Sequence, residues 1–263
     1  MNARSVVRKI YDRKLIYKLN YKIFGRHILF EMPRPRKETL IPLNSDENIA
    51  YLIGVIMGDG TVRVTRRKMT KYPRTNISIF NSSFSYLNRI NSIMFHTFGC
   101  VGKIQKKRGV NCYILSINNK VICLFFLKVV GLKSGKKVNL KIPDYVKTKR
   151  LFKHFLAGLL DTDGFFTDSF GIMLNGKNFD FLKEIMSITT NFYGIHFRKL
   201  YLGSIMVNGN LKIRCQVHIS SRDTRKCMFT IPLKHDKFDK LMGPPGVGPG
   251  SPPCKGGILA DRL

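Results

Sequence analysis

Residues 52–60 read LIGVIMGDG and residues 156–164 read LAGLLDTDG. Both follow one pattern: Leu, any residue, Gly, two apolar residues, any residue, a small residue, Asp, Gly. An Asp-Gly pair at the end of an apolar helical run is a common stop or turn, so one copy means little. Two copies place Asp59 and Asp163 at matched positions in a chain that is otherwise very basic. The match points to two metal-binding carboxylates brought together by pseudo-twofold symmetry.

The small residues support that geometry. Gly54 and Gly58 in the first copy, and Gly158 and Thr162 in the second, are spaced four apart and share a helix face. Small residues at that spacing let two helix backbones approach closely. Leu52, Val55 and Ile56, with Leu156, Leu159 and Leu160, point elsewhere, into the core of each half. If the small faces meet, Asp59 and Asp163 emerge side by side at the foot of a central two-helix seam. Two carboxylates that close repel unless cations sit between them. Oxygen ligands of this kind suit Mg²⁺, with water and phosphate filling the other positions.

The chain around the motifs repeats as well. Asn44 to Glu47 supplies cap and acidic residues for a helix over about 47–59. Residues 61–69 alternate apolar and basic as a strand, and 75–80 form a second strand beyond Tyr72-Pro73. Residues 82–98 read as a helix, with Phe84, Leu87, Ile90, Ile93 and Met94 on one face and Gly99 at its end. A hairpin over 101–106 and 111–117 turns at Arg108-Gly109, and 119–129 is a short apolar helix. In the second half Ile142-Pro143 leads into a helix over 144–163, a hairpin over 165–175 and a helix over 178–193. Strands over 195–201 and 211–219 and a helix from Ser221 follow. Each half therefore reads α-β-β-α-β-β-α. The fold class is α+β, with two pseudo-symmetric halves over 46–140 and 141–242.

Residues 1–45 are a basic N-terminal extension with 11 Lys or Arg and 3 acids. The run from Met32 to Lys37, with prolines at 33 and 35, cannot be a helix interior and reads as an extended linker. The rest of the extension either packs on the body or embraces a nucleic acid as a free arm. From Gly243 onward 11 of 21 residues are Gly or Pro, so disorder is expected over 243–263.

Lys and Arg number 46 against 16 acids in 263 residues, a net charge of +30. Such a charge opposes compaction unless the partner is a polyanion. Nucleic acid fits better than a membrane surface, because no single amphipathic basic helix dominates the charge. The apolar fraction of 44% is enough to build cores. Six cysteines make no C-x-x-C pair and fit no zinc site, which points to free thiols in a reducing intracellular compartment, cytoplasm or organelle matrix. The apolar runs are too short to span a bilayer, and there is no signal-peptide apolar segment. Arg4 to Lys14 matches an organellar transit peptide only weakly, because Asp12 interrupts it. The lack of Cys or Ser at position 1 and of a terminal His-Asn argues against a self-splicing element.

On both motifs, the Ile142-Pro143 entry and the repeated element order, the chain resembles the LAGLIDADG homing endonucleases in their monomeric two-motif form. The resemblance covers about residues 44–230. It implies a saddle whose two antiparallel sheets lie in the DNA major groove. It implies a monomer that hydrolyses both strands of double-stranded DNA at a long specific site, leaving 3′ overhangs. It also implies two or more Mg²⁺ ions, with Mn²⁺ able to substitute, and an intron as the coding element. Carried over residue by residue, Asp59 and Asp163 are the metal ligands, assisted by the carbonyls of Gly58 and Thr162. The sixth motif position is Met57 in one copy and Asp161 in the other, a departure at a place that does not bind metal.

The family also places a basic residue after the last strand of each half. Aligning 113–120 (YILSINNK) with 215–222 (CQVHISSR) sets Lys120 opposite Arg222. Both would stabilise the pentacovalent phosphate or poise an attacking water. Asn81 and Asn175 end the second strand of each half, where the family often has a polar, water-holding residue. For DNA reading, Lys212, Arg214, Gln216 and His218 face out of the last strand while Leu211, Ile213, Cys215, Val217 and Ile219 face in. Arg63, Thr65 and Arg67, with Arg74, Asn76 and Ser78 on the partner strand, form a similar face. Lys106, Lys107 and Arg108 at a turn suit phosphates. Two alternatives use the same scaffold. One is a maturase that binds its own intron RNA and needs neither aspartate. The other is a non-cleaving regulator, which would show degraded acidic positions and an added helix-turn-helix.

Overall fold

In a computed structural model of the chain the described residues are 1–11, 19–33, 36–65, 73–135, 137–166, 170–207, 210–220 and 223. The chain opens with helix α1 (Ala3–Ile10) and an antiparallel meander of β1 (Asn20–Phe24), β2 (His27–Pro33) and β3 (Arg36–Pro42). Val6 and Ile10 of α1, with Ile28, Phe30 and Ile41 of the sheet, are buried. This corrects the linker reading of 32–37. The backbone there is extended, but Met32 pairs with Lys37 and Pro33 with Arg36 in a hairpin. Strand ends tolerate proline because no ladder donor is needed there.

In the first half, α2 (Glu47–Gly58) is capped by Asp46, whose Oδ1 accepts the Ile49 N–H at 3.1 Å. Every residue from Ile49 to Gly58 is buried, so this helix is packed on all sides. Then follow β4 (Gly60–Thr65), β5 (Arg74–Asn81), α3 (Phe84–Phe98), β6 (Lys103–Lys106), β7 (Tyr113–Ile117) and α4 (Lys120–Leu124), with a π turn over Phe125–Val129. Ser83 caps α3, and Gly99 ends it with φ 66°. Phe84 lies outside the core face of α3 and sets its ring edge-on to Tyr113 instead. The N-terminal unit sits on this half: β3 against α3 and α4, α1 against the π turn. A buried Asn119 Nδ2 donates to Thr39 Oγ1 across that contact at 2.7 Å.

The second half comprises α5 (Lys149–Asp163), β8 (Gly164–Phe166), β9 (Phe170–Asn175), α6 (Phe179–Tyr193), β10 (Tyr201–Val207) and β11 (Asn210–His218). The sheets are ordered β4-β5-β7-β6 and β8-β9-β11-β10, the same arrangement in both halves. Three expectations need correction. The second long helix begins at Lys149, not at 144: Asp144–Val146 is a single 3₁₀ turn, and the helix is capped by Thr148. The strand placed at 195–201 runs over Tyr201–Val207, because it is this stretch that pairs with β11, from Tyr201 opposite Gln216 to Val207 opposite Asn210. Leu211 and Ile213 do not face in, being 66% and 59% exposed. β11 pairs with β9 only from Arg214 to His218, so the β10–β11 hairpin overhangs the core. The expected helix after Ser221 and the 243–263 tail lie outside the described residues. No helix among those described is long and apolar enough to cross a membrane.

Candidate active site

Helices α2 and α5 form the most extensive contact between helices among the described residues. A Cβ on Gly54 would strike the Phe155 carbonyl, and one on Gly158 the Tyr51 carbonyl. A Cβ on Gly58 would strike the Thr162 side chain, whose hydroxyl donates to the Gly158 and Leu159 carbonyls at 3.0 Å. The four small residues are thus the seam, and backbones touch where side chains are missing.

The seam delivers both aspartates to one place. Asp59 is the C-cap of α2 and Asp163 the last residue of α5; both are half-buried. Asp163 Oδ2 lies 3.2 Å from the point where a Gly58 Cβ would sit, so the second carboxylate rests against the end of the first helix. The end of β5 holds Asp59: the Phe80 N–H donates to its carbonyl at 3.2 Å, and Asn81 Nδ2 to its Oδ2 at 3.1 Å. Asn81 Oδ1 in turn accepts the Ser83 N–H at 2.9 Å.

Asn175 is not the counterpart of Asn81. Gly60 pairs with Ile79 and Gly164 with Ile172, so the position two beyond, Asn81 in one half, is Leu174 in the other. Asn175 is one residue further, on the opposite face of the sheet. It is exposed and accepts the Lys177 N–H at 3.0 Å.

Lys120 opens α4, beyond the end of β7 where Ile117 pairs with Ile77. The other end of β7, Tyr113, is the one beside Asn81. Four residues of strand, about 13 Å, separate Ile77 from Asn81, so the register carries Lys120 away from Asp59. Burial lowers its pKa. Arg222 and Arg67 lie outside the described residues.

Among the described residues a cation that does reach the pair is Lys137, on the strap joining the halves. It lines a cavity of about 390 Å³ together with Gly58, Asp163, Asn175, Lys212 and Arg214. Burial lowers its pKa, while the charges of Asp163 and Asp59 pull the other way. Sequence reasoning missed it because nothing local distinguishes it from the neighbouring lysines of a Gly-rich connection.

A second carboxylate also crosses the seam. Asp161 is 5% exposed and accepts from the Tyr51 hydroxyl at 2.8 Å. Burial raises the pKa values of both Tyr51 and Tyr86, with the charge of Asp161 adding to the effect. The sixth motif position of the second copy is therefore a buried polar tie among α2, α3 and α5.

The open faces of the two sheets carry the remaining polar side chains. Arg63 pairs with Asn76, Thr61 with Ser78 and Thr65 with Arg74, while Thr75, Ile77 and Ile79 face the core. Asn76 Nδ2 donates to Asn118 Oδ1 at 2.7 Å, and the Ser78 hydroxyl donates to Asn76 Oδ1. Lys103 and Gln105 of β6 share this face by register. On β11, Lys212 is exposed, and Arg214, Gln216 and His218 are half-buried on the face opposite Cys215 and Val217. Lys106, Lys107 and Arg108 line the exposed β6–β7 turn.

The side-chain donors that the seam brings together are the two carboxylates of Asp59 and Asp163; no three of His, Cys, Asp and Glu gather among the described residues. Hard oxygen donors that leave room for water and phosphate fit Mg²⁺ and not a closed all-protein cage.

Two pseudo-equivalent αβ halves around a two-helix seam, with a carboxylate at the foot of each helix, define the LAGLIDADG homing endonuclease fold. Residues 46–131 match the family model described as a LAGLIDADG-like domain. The crystal structure of I-DmoI in complex with DNA and Mn superposes with a TM-score of 0.54 at 21% identity, covering 72% of this chain and 97% of that one. I-DmoI with its target DNA nicked in the coding strand gives a TM-score of 0.54 at 21% identity, covering 72% and 96%. That likeness is one of fold. A segment of 170 residues is 29% identical to a polypeptide of the A-type ATP synthase of Pyrococcus abyssi, covering 64% of this chain and 15% of that protein. Another of 156 residues is 27% identical to the glutamine–fructose-6-phosphate aminotransferase of Methanocaldococcus jannaschii, covering 57% and 13%. The chain thus spans a small fraction of the curated relatives it matches. Their two names share no chemistry, so neither describes the shared segment.

Proposed function

We propose that this chain is a site-specific endonuclease that hydrolyses both strands of double-stranded DNA with a divalent metal. The observation that carries the reading is the convergence of Asp59 and Asp163 at the foot of the α2–α5 seam, between two open basic sheets. Asp59 and Asp163, with the Gly58 and Thr162 carbonyls, would hold Mg²⁺. Such an ion, when bound, activates water and neutralises charge developing on phosphate. Asn81 fixes the rotamer of Asp59. Lys137 supplies a cation beside the reacting phosphate, where a preorganised charge stabilises the transition state most. The sheet faces would read base edges in the major groove, Arg63, Arg74 and Arg214 being suited to guanine and Asn76 and Gln216 to adenine. The Lys106–Arg108 turn would grip phosphates. Acting as a monomer and being encoded by an intron belong to the same proposal.

The test is incubation with a plasmid carrying the uninterrupted host sequence around the insertion point of the coding element, with Mg²⁺, with EDTA, and with an Asp163→Asn variant. The expected result is one Mg²⁺-dependent double-strand cut with 3′ overhangs, with the variant binding but not cutting. Tight binding without a cut under any divalent ion would shift the reading to a regulator. Preference for the intron RNA would shift it to a maturase.

A further inference from the structure

We infer that Asn178 is a positioning residue for the candidate catalytic centre, acting through the strap that carries Lys137. This rests on the reading of Asp59 and Asp163 as the reacting pair. Asn178 stands at the N-cap position of α6, where an Asn side chain ordinarily accepts an N–H from its own first turn. It makes no such bond. The residue is 3% exposed, and both ends of its amide are used on the strap. Nδ2 donates to the Lys137 carbonyl and Oδ1 accepts the Leu140 N–H, each at 3.1 Å. A cap bond is worth about 1 kcal/mol, and here that capacity is turned to holding the irregular backbone from Lys137 to Leu140.

The strap is pinned at its other end too, where the Gly135 N–H donates to the Val62 carbonyl of β4 at 3.1 Å. Between the pins, Asn139 has φ 51°, the one non-glycine among the described residues with positive φ. Asn tolerates this left-handed conformation better than most residues, and the turn it makes closes around the Asn178 amide. One pin belongs to the first half and the other to the second, and the root of Lys137 lies between them. A lysine stem has four rotatable bonds and little directional preference of its own. Fixing its root is what aims the ammonium into the cavity that Asp163 lines, and displacement by about 1 Å at such a centre is costly.

The test uses free protein, so it stands apart from cleavage. Asn178→Ala removes both contacts. Asn178→Asp keeps the acceptor for Leu140 but sets an oxygen against the Lys137 carbonyl, and serves if the alanine variant does not fold. The first readout is acetylation of Lys137 by an amine-reactive reagent, followed by peptide mapping, with exposed Lys106 as internal reference. The expected change is about fivefold faster modification of Lys137, the scale of one lost hydrogen bond, with Lys106 unchanged. The second readout is Mn²⁺ binding. Lys137→Met raises affinity by removing a competing cation, Asn178→Ala raises it likewise, and the double variant adds nothing more, as expected of two residues acting through one contact. An unchanged Lys137 rate and Mn²⁺ affinity in the folded variants overturns the inference, and so does a uniform rise across all lysines. If these shifts occur but the parent cuts no DNA, the clamp stands and the endonuclease reading falls.

Discussion

Asn81 donates to Asp59 Oδ2 at 3.1 Å, and the residue at the equivalent register position beside Asp163 is Leu174. The duplicated motif therefore sits in unequal surroundings. One carboxylate is held by an amide that is itself fixed by the Ser83 N–H, whereas the other borders the cavity with Lys137, Lys212 and Arg214. Under the endonuclease reading the two strands are cut at different rates. Asn81→Leu should slow the cut served by Asp59 by about ten- to a hundredfold, the worth of one hydrogen bond to a charged group, and leave the other nearly unchanged. Strand-resolved gels of an end-labelled duplex would show this. Equal slowing of both strands would mean that Asn81 acts on the seam as a whole.

Gly158→Ala places a methyl group against the Tyr51 carbonyl, a main-chain atom that cannot rotate aside. The helices must separate, and overpacking of this kind costs about 3 kcal/mol or more. Urea unfolding is expected to show that loss, or the variant to be insoluble. A stability within about 1 kcal/mol of the parent, on the ordinary scale of surface substitutions, would contradict the close backbone contact.

Tyr51→Phe removes the donor to Asp161 Oδ2 in a buried site. Leaving a buried carboxylate oxygen short of a partner costs about 1–3 kcal/mol. Adding Asp161→Leu to that variant should recover part of the loss, because two apolar groups of similar size need no hydrogen bond. Denaturant midpoints of the single and double variants would decide it; a further drop in the double variant would mean that Asp161 has other obligations at the seam.

Burial pushes the Cys123 thiol up to about 12, and burial also raises Cys215. Thiolate is the reactive form. At about pH 8, close to the ordinary thiol value, Cys100 and Cys112, which are half-buried, are expected to react with a thiol reagent before the other cysteines among the described residues, and Cys123 only on unfolding. Peptide mapping after a short labelling pulse checks the order, and early labelling of Cys123 would place it outside the core.

The sequence displays the parts of this architecture that repeat or obey local rules. The doubled motif, the cap at Asp46 and the stop at Gly99 are readable because each follows from the chemistry of a few adjacent residues. The N-terminal meander is harder to read, because Pro33 and Pro35 look like a broken linker and only its pairing partners make the segment a hairpin. Asn175 misleads by one residue, and in a strand one residue reverses the face. Lys137 and Asn178 are hidden for a different reason. They meet the aspartates and each other across sequence separations that only the closed topology spans, and no local pattern marks either one.

The overhanging β10–β11 hairpin makes the two sheets differ in how well they tolerate being alone. At the outer edge of the first sheet, β6 carries Lys103 and Lys106, and like charges discourage a second strand from adding there. At the corresponding edge of the second sheet, β10 reads YLGSIMV, with no charge at all, and Leu202, Met206, Leu211 and Ile213 stand exposed on the hairpin. Among the described residues nothing pairs with this edge, and an uncharged, apolar edge is a template for adventitious strand addition. Charged residues placed on the outer strand there would discourage such addition without touching the seam.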